Sequence, residues 1–361
     1  MEYLNPEKNN IYHVIGIMSG TSLDGVDLAY CVFKYDEKKK WSYQIEQTGT
    51  IPYPEEWMKL LPSLMKVDAY TFAKANVDLG YYFGSLIKTF ILENNIAADF
   101  IASHGHTIFH QPDIGLTAQI GSGASIAATC GLPVVCDFRS TDVAYGGQGA
   151  PLVPMGDALL FSEFDYCLNL GGFSNISYLH AGQRIAYDIC PVNTLLNKLA
   201  QRVGLEYDKD GLIGRTGCID THLLERLNSL SYYDLKPPKS LGFEWSNDNI
   251  WPILNMSQLS IPDLLRTVIE HVAIQLSNSI SGFELGKLLV TGGGVKNIFL
   301  MERFRARTKH TIIIPENKVI DYKEAMIFAF LGVLRVRSES NCLQSVTGAV
   351  KDSIGGAIYL P

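Results

Sequence analysis

The sequence predicts an α/β protein made of two halves of like architecture, and three observations predict it. Short apolar runs repeatedly end on glycine, hydroxyl or charged residues, as strands do in open α/β sheets that bind ligands at their carboxyl ends. The order strand, Gly/Ser/Thr turn, strand, strand, then helices occurs from residue 14 and again from residue 165. Finally, 361 residues exceed one ordinary core. No low-complexity tract or long linker separates the halves. The expected arrangement is therefore two packed domains, 1–145 and 146–361, with a cleft between them and a final segment able to pack back on the first.

Composition narrows the class. Apolar residues make up 47% and charged residues 19%, which describes a soluble globular chain with ample surface to bury. A net charge of −7 and a pI near 5.6 argue against nucleic acid or an anionic membrane as partner. Lys38, Lys39 and Lys40 form a short basic run, but it sits in a polar turn. The amino-terminal residues lack a signal-peptide layout, and no apolar run reaches the roughly 18 residues of a membrane span. Seven cysteines, scattered and without a CxxC pair, read as free thiols rather than a zinc site. A reducing cytoplasm is the expected compartment.

Taken in order, strands are expected at 14–17, 28–33 and 41–51, joined by an Asp24-Gly25 turn and a charged turn at 35–40 into a meander. Helices should follow at 55–65 and 71–93. In the second, Phe72, Ala75, Leu79, Phe83, Leu86 and Phe90 recur at i+3/i+4 steps, while Gly80 and Gly84 weaken the pattern. A buried strand at 100–103 should end on His104-Gly105-His106-Thr107. A strand at 117–120, a small-residue helix at 124–130 and a strand at 133–136 ending on Asp137-Phe138-Arg139 complete the first half. After the glycine-rich loop 145–151, the second half repeats the scheme: an apolar strand, Gly171-Gly172, strands at 176–179 and 184–187 ending on Asp188, and a helix at 194–203. Further helices are expected at 221–230, 261–278 and 324–335, with a strand at 287–290 before Thr291-Gly292-Gly293-Gly294.

Three glycine-hydroxyl turns are candidates for chemistry. The first lies in VIGIMSGTSLDGVD, where Gly20, Thr21, Ser22, Leu23, Asp24, Gly25, Val26 and Asp27 follow an apolar strand. Small residues there let backbone N–H groups approach an anion. Asp24 and Asp27 would repel a bare phosphate, so they fit a divalent metal or a proton transfer. An ordinary hairpin also fits, and both can hold at once. Gly171, Gly172, Ser174 and Asn175 form the second turn, and Gly292, Gly293 and Gly294 the third. Neither the Walker A pattern nor GxGxxG is present. Two hairpin turns from duplicated halves plus a triple-glycine loop would grip a triphosphate and leave a slot for a base.

The segments GIMSGTSLDGVD, SHGHTIFHQP, TAQIGSG, VVCDFRSTDVAYGGQGAPLVP, LNLGGFSNIS, DICPVN, PPKSLGFEW, LVTGGGVKN and KEAMIFAFLG resemble, in that order, the anhydro-N-acetylmuramic acid kinase family. The resemblance implies a two-domain actin-like ATPase (ribonuclease H-like) fold. It implies a reaction in which ATP and water convert 1,6-anhydro-N-acetylmuramic acid into N-acetylmuramic acid 6-phosphate during peptidoglycan recycling. It also implies Mg²⁺, a homodimer, and roles by position. Residues 20–27 and 171–175 would bind the ATP phosphates, and Thr291 to Gly294, with Gly292, Gly293 and Gly294 as ATP-binding residues, would border the adenosine. Asp188 matches the catalytic aspartate and would take the proton from water; the alternative is a cap on the next helix. Arg139 would bind the lactyl carboxylate or pair with Asp137 or Asp142. His104, His106 and Asn193 would line the sugar site, and Glu324 would either face the cleft or cap a helix. Two departures stand out: the usual DTGPGN reads DICPVN, and His106 replaces a glutamine. The first of these leaves open a related kinase for another sugar or carboxylate. A non-enzymatic nucleotide switch is the further alternative.

Overall fold

A computed structural model describes residues 10–20, 23 and 25–361. The chain forms two compact units, one comprising Met1–Leu160 with Tyr322–Pro361, the other Phe161–Asp321. The loop at 146–151 and the helix Val153–Leu160 after it belong to the first unit.

In the first unit, β1 (Ile11–Ser19), β2 (Val26–Tyr35) and β3 (Trp41–Ile51) form the expected antiparallel meander. β4 (Phe100–Gln111) lies parallel to β1, with β5 (Leu116–Ile120) antiparallel to its far half. β6 (Val134–Cys136) lies parallel to the near half of β4. The second unit has β7 (Tyr166–Leu170), β8 (Phe173–His180) and β9 (Gln183–Pro191) as its meander, then β10 (Lys287–Thr291) and β11 (Thr311–Ile313), both parallel to β7. Its five-stranded order is β11-β10-β7-β8-β9; the seven-stranded first sheet carries the same core order, β6-β4-β1-β2-β3. β12 (Ala357–Tyr359) is added antiparallel to β6. The architectural repeat read from the sequence is therefore a duplicated sheet, and its strand order is that of the actin-like, ribonuclease H-like class.

Three helices cover one face of the first sheet: Glu55–Ser63, Ala69–Asn94 and Gly123–Cys130. Asp68 caps the second through Thr71 N–H at 3.0 Å, and Asn95 ends it in the left-handed conformation. Its buried stripe of Ala75, Leu79, Phe83, Ile87 and Phe90 packs on Ile15, Ile101 and Val134. A fully buried Phe83 stabilises the fold by about 2–3 kcal/mol. Gly80 and Gly84 do not break this helix. A Cβ at Gly80 would lie 2.6 Å from Ser122 O, and one at Gly84 2.6 Å from Thr129 Cβ. Their absence of side chains lets the small-residue helix pack closely.

The second core is built by Leu168, Leu170, Ile176 and Ile189 of the sheet against Leu195, Leu199, Val268 and Val272 of the helices Asn193–Gln201 and Ile261–Ile280. Two expected boundaries fall elsewhere. β4 does not stop at Ser103 but runs through His104-Gly105-His106-Thr107, because pairing with β5 supplies a second ladder for those polar residues. Likewise the last long helix spans Asn317–Val336, broken at Tyr322 (φ −119°, ψ 16°), so Glu324 lies in the first turn after the break. No described helix is long and apolar enough to cross a membrane.

Candidate active site

At the mouth of the β1–β2 hairpin, the ladder ends on the pair Ser19 and Val26. The hairpin expectation holds. Gly20 O accepts Leu23 N–H at 3.3 Å, Leu23 takes the left-handed conformation (φ 59°), and Gly25 has φ 150°. Thr21, Ser22 and Asp24 lie outside the described residues. Asp27 follows on β2, where its Oδ1 accepts a 2.6 Å hydrogen bond from Thr50 Oγ1. Among the described residues no three His, Cys, Asp or Glu side chains converge as a metal cage. A Mg²⁺ carried by a triphosphate keeps several waters and needs only one or two protein carboxylates. Asp27, beside the turn, fits that smaller demand.

Behind the turn lies a buried polar chain. Ser19 Oγ sits 2.6 Å from Tyr53 OH and 2.7 Å from His106 Nδ1. His106 is only 3% exposed, and burial pulls its imidazole down to about 4, so it is neutral at ordinary pH. Next to it, His104 donates from Nδ1 to Gly105 O at 2.9 Å. That fixes its tautomer and leaves Nε2 to accept from Arg139 Nε at 3.0 Å and Nη2 at 2.8 Å. Burial, reinforced by the Arg139 charge, holds His104 well below the usual histidine range.

Arg139 also donates from Nη1 to Gly149 O at 2.6 Å and lies 6.0 Å from the Phe328 ring centroid. Burial lowers its guanidinium to about 10 while Glu324, exposed, acts in the other direction. The expected ion pairs to Asp137 or Asp142 are absent. Ser140 occupies Asp137 Oδ1, and the fully buried Asp142 accepts from Gly149 N–H at 2.7 Å, Thr347 Oγ1 at 2.8 Å and Cys342 Sγ at 3.0 Å. Asp142 and Arg139 thus hold the N–H and the C=O of one residue, Gly149. The guanidinium keeps its charge with no carboxylate in contact among the described residues.

In the second unit the glycine turns are adjacent. Gly292 follows β10 in the left-handed region (φ 85°), where a Cβ would meet Asn169 Oδ1 at 2.6 Å, so this position requires glycine. Asn193 lies beside Gly293 and Gly294: Cβ atoms built on them would be 3.7 Å from its Nδ2 and 3.5 Å from its Oδ1. The structure thus places Asn193, expected at the sugar, among the glycine turns. Gly172 O accepts Val192 N–H at 2.8 Å and Thr194 Oγ1–H at 2.9 Å, so the Gly171-Gly172 turn caps the helix Asn193–Gln201. Ser174 is fully buried and hydrogen-bonds the Cys190 backbone on both sides, its Oγ donating to O at 2.9 Å and accepting from N–H at 3.2 Å.

Asp188 is in register with Asn175, Asn175 with Asn169, and Asn169 with Thr291. These four side chains therefore form a polar row across one sheet face. The capping alternative for Asp188 fails. It lies within β9, and Val192 occupies the cap position without a side-chain bond. Leu241 N–H donates to Asp188 Oδ2 at 2.9 Å, and no described residue hydrogen-bonds to Oδ1. Burial raises the carboxyl above its ordinary value, against the smaller opposing effect of the Leu241 amide. Such a carboxylate is held at one oxygen, open at the other, and more basic than usual. Sequence reasoning missed Asn169. Its polarity inside LNL, in step with Asn175 across the turn, was the available signal.

The chain matches the family model for anhydro-N-acetylmuramic acid kinase over residues 12–361. A protein so named from Sulfurovum sp. is 36% identical over 361 residues, covering 96% of this chain and 98% of the relative. Another from Hydrogenovibrio crunogenus is 34% identical over 368 residues, with coverages of 96% and 98%. Among solved structures, component A of (R)-2-hydroxyglutaryl-CoA dehydratase from Acidaminococcus fermentans is similar at a TM-score of 0.48 and 10% identity, covering 90% of this chain and 99% of that one.

Proposed function

The chain belongs to the anhydro-N-acetylmuramic acid kinase family, and from that membership we propose that it opens the 1,6-anhydro ring of this sugar with water while ATP phosphorylates O6. The near full-length match carries the reading, and the Asp188 geometry supports it. In the proposed step water oxygen bonds to C1 and its proton passes to the open oxygen of Asp188. The C1–O6 electron pair goes to O6, which bonds to the γ-phosphorus as ADP leaves. A raised carboxyl suits a general base because proton affinity and deprotonation at neutral pH are both needed.

Arg139 is assigned to the lactyl carboxylate, since its charge meets no carboxylate of the described protein and its fork matches one. His104 is its neutral brace. His106 and Glu324 are assigned to the sugar, and Asn193 to either ligand, given its place among the glycines. Residues 20–27 and the turns at Gly171-Gly172 and Gly292 to Gly294 are assigned to ATP, with Ser174 supporting its turn from within and Asn175 lying in the polar row. Mg²⁺ would offset charge on the transferring phosphoryl group, with Asp27 and Asp24 assigned to its water shell. The cytoplasm and a homodimeric state complete the proposal.

Incubation with Mg-ATP and the anhydro sugar in ¹⁸O-labelled water tests it. ADP release with label at C1 is expected; ADP without label would sink the hydrolytic step. Asp188→Asn should abolish turnover while ATP still binds.

A further inference from the structure

We propose that residues 232–241 clamp the Asp188 carboxylate for catalysis, with Tyr232 and Lys239 as its positioning residues. The proposal rests on Asp188 being the base. Four hydrogen bonds tie this segment to one residue of β9 and to itself. Tyr232 OH donates to Asp188 O at 2.6 Å, and Asp188 N–H donates to Lys239 O at 3.2 Å. Leu241 N–H reaches Asp188 Oδ2 at 2.9 Å, and Lys239 Nζ donates back to Tyr232 O at 3.2 Å. Lys239 Nζ also lies 4.6 Å from the centroid of the Tyr232 ring and 5.8 Å from that of Tyr187, so the ammonium closes the segment over two aromatic faces.

The base of the clamp is rigid. Tyr232 is 5% exposed and packs on Trp245. Tyr233 OH bonds His271 Nε2 at 3.0 Å, and His271 Nδ1 bonds Asn228 Oδ1 at 2.7 Å inside the helical core. Without this support a loop spanning Pro237 and Pro238 would have no reason to hold one amide on one carboxylate oxygen. The consequence is that Oδ2 is fixed and Oδ1 is the oxygen presented to water.

The titratable groups around Asp188 are Tyr187, Cys190, Tyr232 and Lys239. Burial pushes the Tyr187 and Tyr232 hydroxyls and the Cys190 thiol upward, the last to about 12, and lowers Lys239 from its ordinary value. Asp234 acts on Lys239 in the opposite sense. Leu241 N–H favours the charged carboxylate. A clamp loosened with Asp188 still buried loses that amide while the larger effect of burial persists, so the proton affinity of Asp188 rises and the acid limb of kcat/KM moves upward.

The test measures kcat/KM against pH for the parent, Tyr232→Phe, Lys239→Met and Lys239→Arg, with Mg-ATP and anhydro-N-acetylmuramic acid. ATP ionisation is common to all four. The acid limb is expected to rise by about half to one pH unit in Tyr232→Phe and Lys239→Met, with Lys239→Arg close to the parent. A uniform loss at every pH, or an unmoved limb, overturns the clamp. Should Lys239→Met fail to fold, Tyr232→Phe, which deletes one oxygen, decides alone. Asp188→Asn is run alongside: retained turnover there refutes the base assignment, whereas a dead Asp188→Asn with unmoved limbs refutes only the clamp.

Discussion

Replacing Arg139 by lysine keeps the positive charge and removes the fork. In the structure Nε and Nη2 both converge on His104 Nε2, and Nη1 holds Gly149 O. The outward N–H bonds of Nη1 and Nη2 are left for a ligand. A bidentate carboxylate pair consists of two charge-assisted bonds, each contributing about 1.5–3 kcal/mol. Lysine can supply the charge and one such bond, so the expected loss is one bond, about 1.5–3 kcal/mol, or roughly 10- to 150-fold in kcat/KM. The loss should appear mainly in KM, since ground and transition states both carry the lactyl group. The decisive assay repeats the comparison with 1,6-anhydro-N-acetylglucosamine, which lacks the lactyl carboxylate. On that substrate Arg139→Lys and the parent should agree within about threefold. An equal loss on both sugars refutes the assignment and would mean that Arg139 serves only to hold His104 and Gly149.

Three further outcomes follow from the packing. Glu270, 1% exposed in its side chain, is bound by Arg303 Nε at 2.9 Å, by Arg307 and by Arg266 at 3.5 Å. Glu270→Gln strands those charges and should destabilise the second unit by about 2–4 kcal/mol, the lower end because Arg303 and Arg307 are a third exposed. Although burial opposes ionisation of Glu270, the arginines outweigh it and depress its value. Its stabilisation is therefore full above the unfolded pKa of about 4.3 and fades as pH falls through the native value; thermal melts of both proteins at pH 7 and pH 3 check this. His271, buried and held down to about 3, rejects a proton that the unfolded chain accepts near 6.5. Stability should accordingly fall as pH drops below about 6.5, at up to roughly 1.4 kcal/mol per unit from this residue, and His271→Gln should flatten that slope in urea titrations. Gly80→Ala gains about 1 kcal/mol of helix propensity but drives a Cβ to 2.6 Å from Ser122 O. A lower melting temperature is expected, and a higher one would show that the two helices need not pack so closely.

Residues that encode local structure were legible in the sequence. The third strand was read at its true bounds because alternation and flanking turns agree there, and the stripe from Ala75 to Phe90 announced its helix. The duplicated meander was legible for the same reason. By contrast, the polar run after Ser103 resembled a strand end, since only the distant β5 makes it pair. The site divides similarly. The expectations at Asp188 and the glycine turns rested on position along the chain. The partners that define their chemistry were not: Leu241 reaches Asp188 from 53 residues away, and Gly149 O, not a carboxylate, takes the Arg139 donor. Such contacts are set by tertiary packing, which leaves no periodic trace in the chain.

The way the backbone is apportioned also fixes an order of events during synthesis. The second unit is one continuous stretch, Phe161–Asp321, whereas the first needs Tyr322–Pro361 to complete it. A ribosome therefore delivers everything the second unit requires before the first can add β12 to β6 or seat the last helix, whose Ala325 O would lie 1.9 Å from a Cβ on Gly16 of β1. The amino-terminal sheet, made first, waits longest. Released chains truncated after residue 321 should show a protease-resistant second unit and a digestible first one, and a protected amino-terminal sheet at that length would contradict this order.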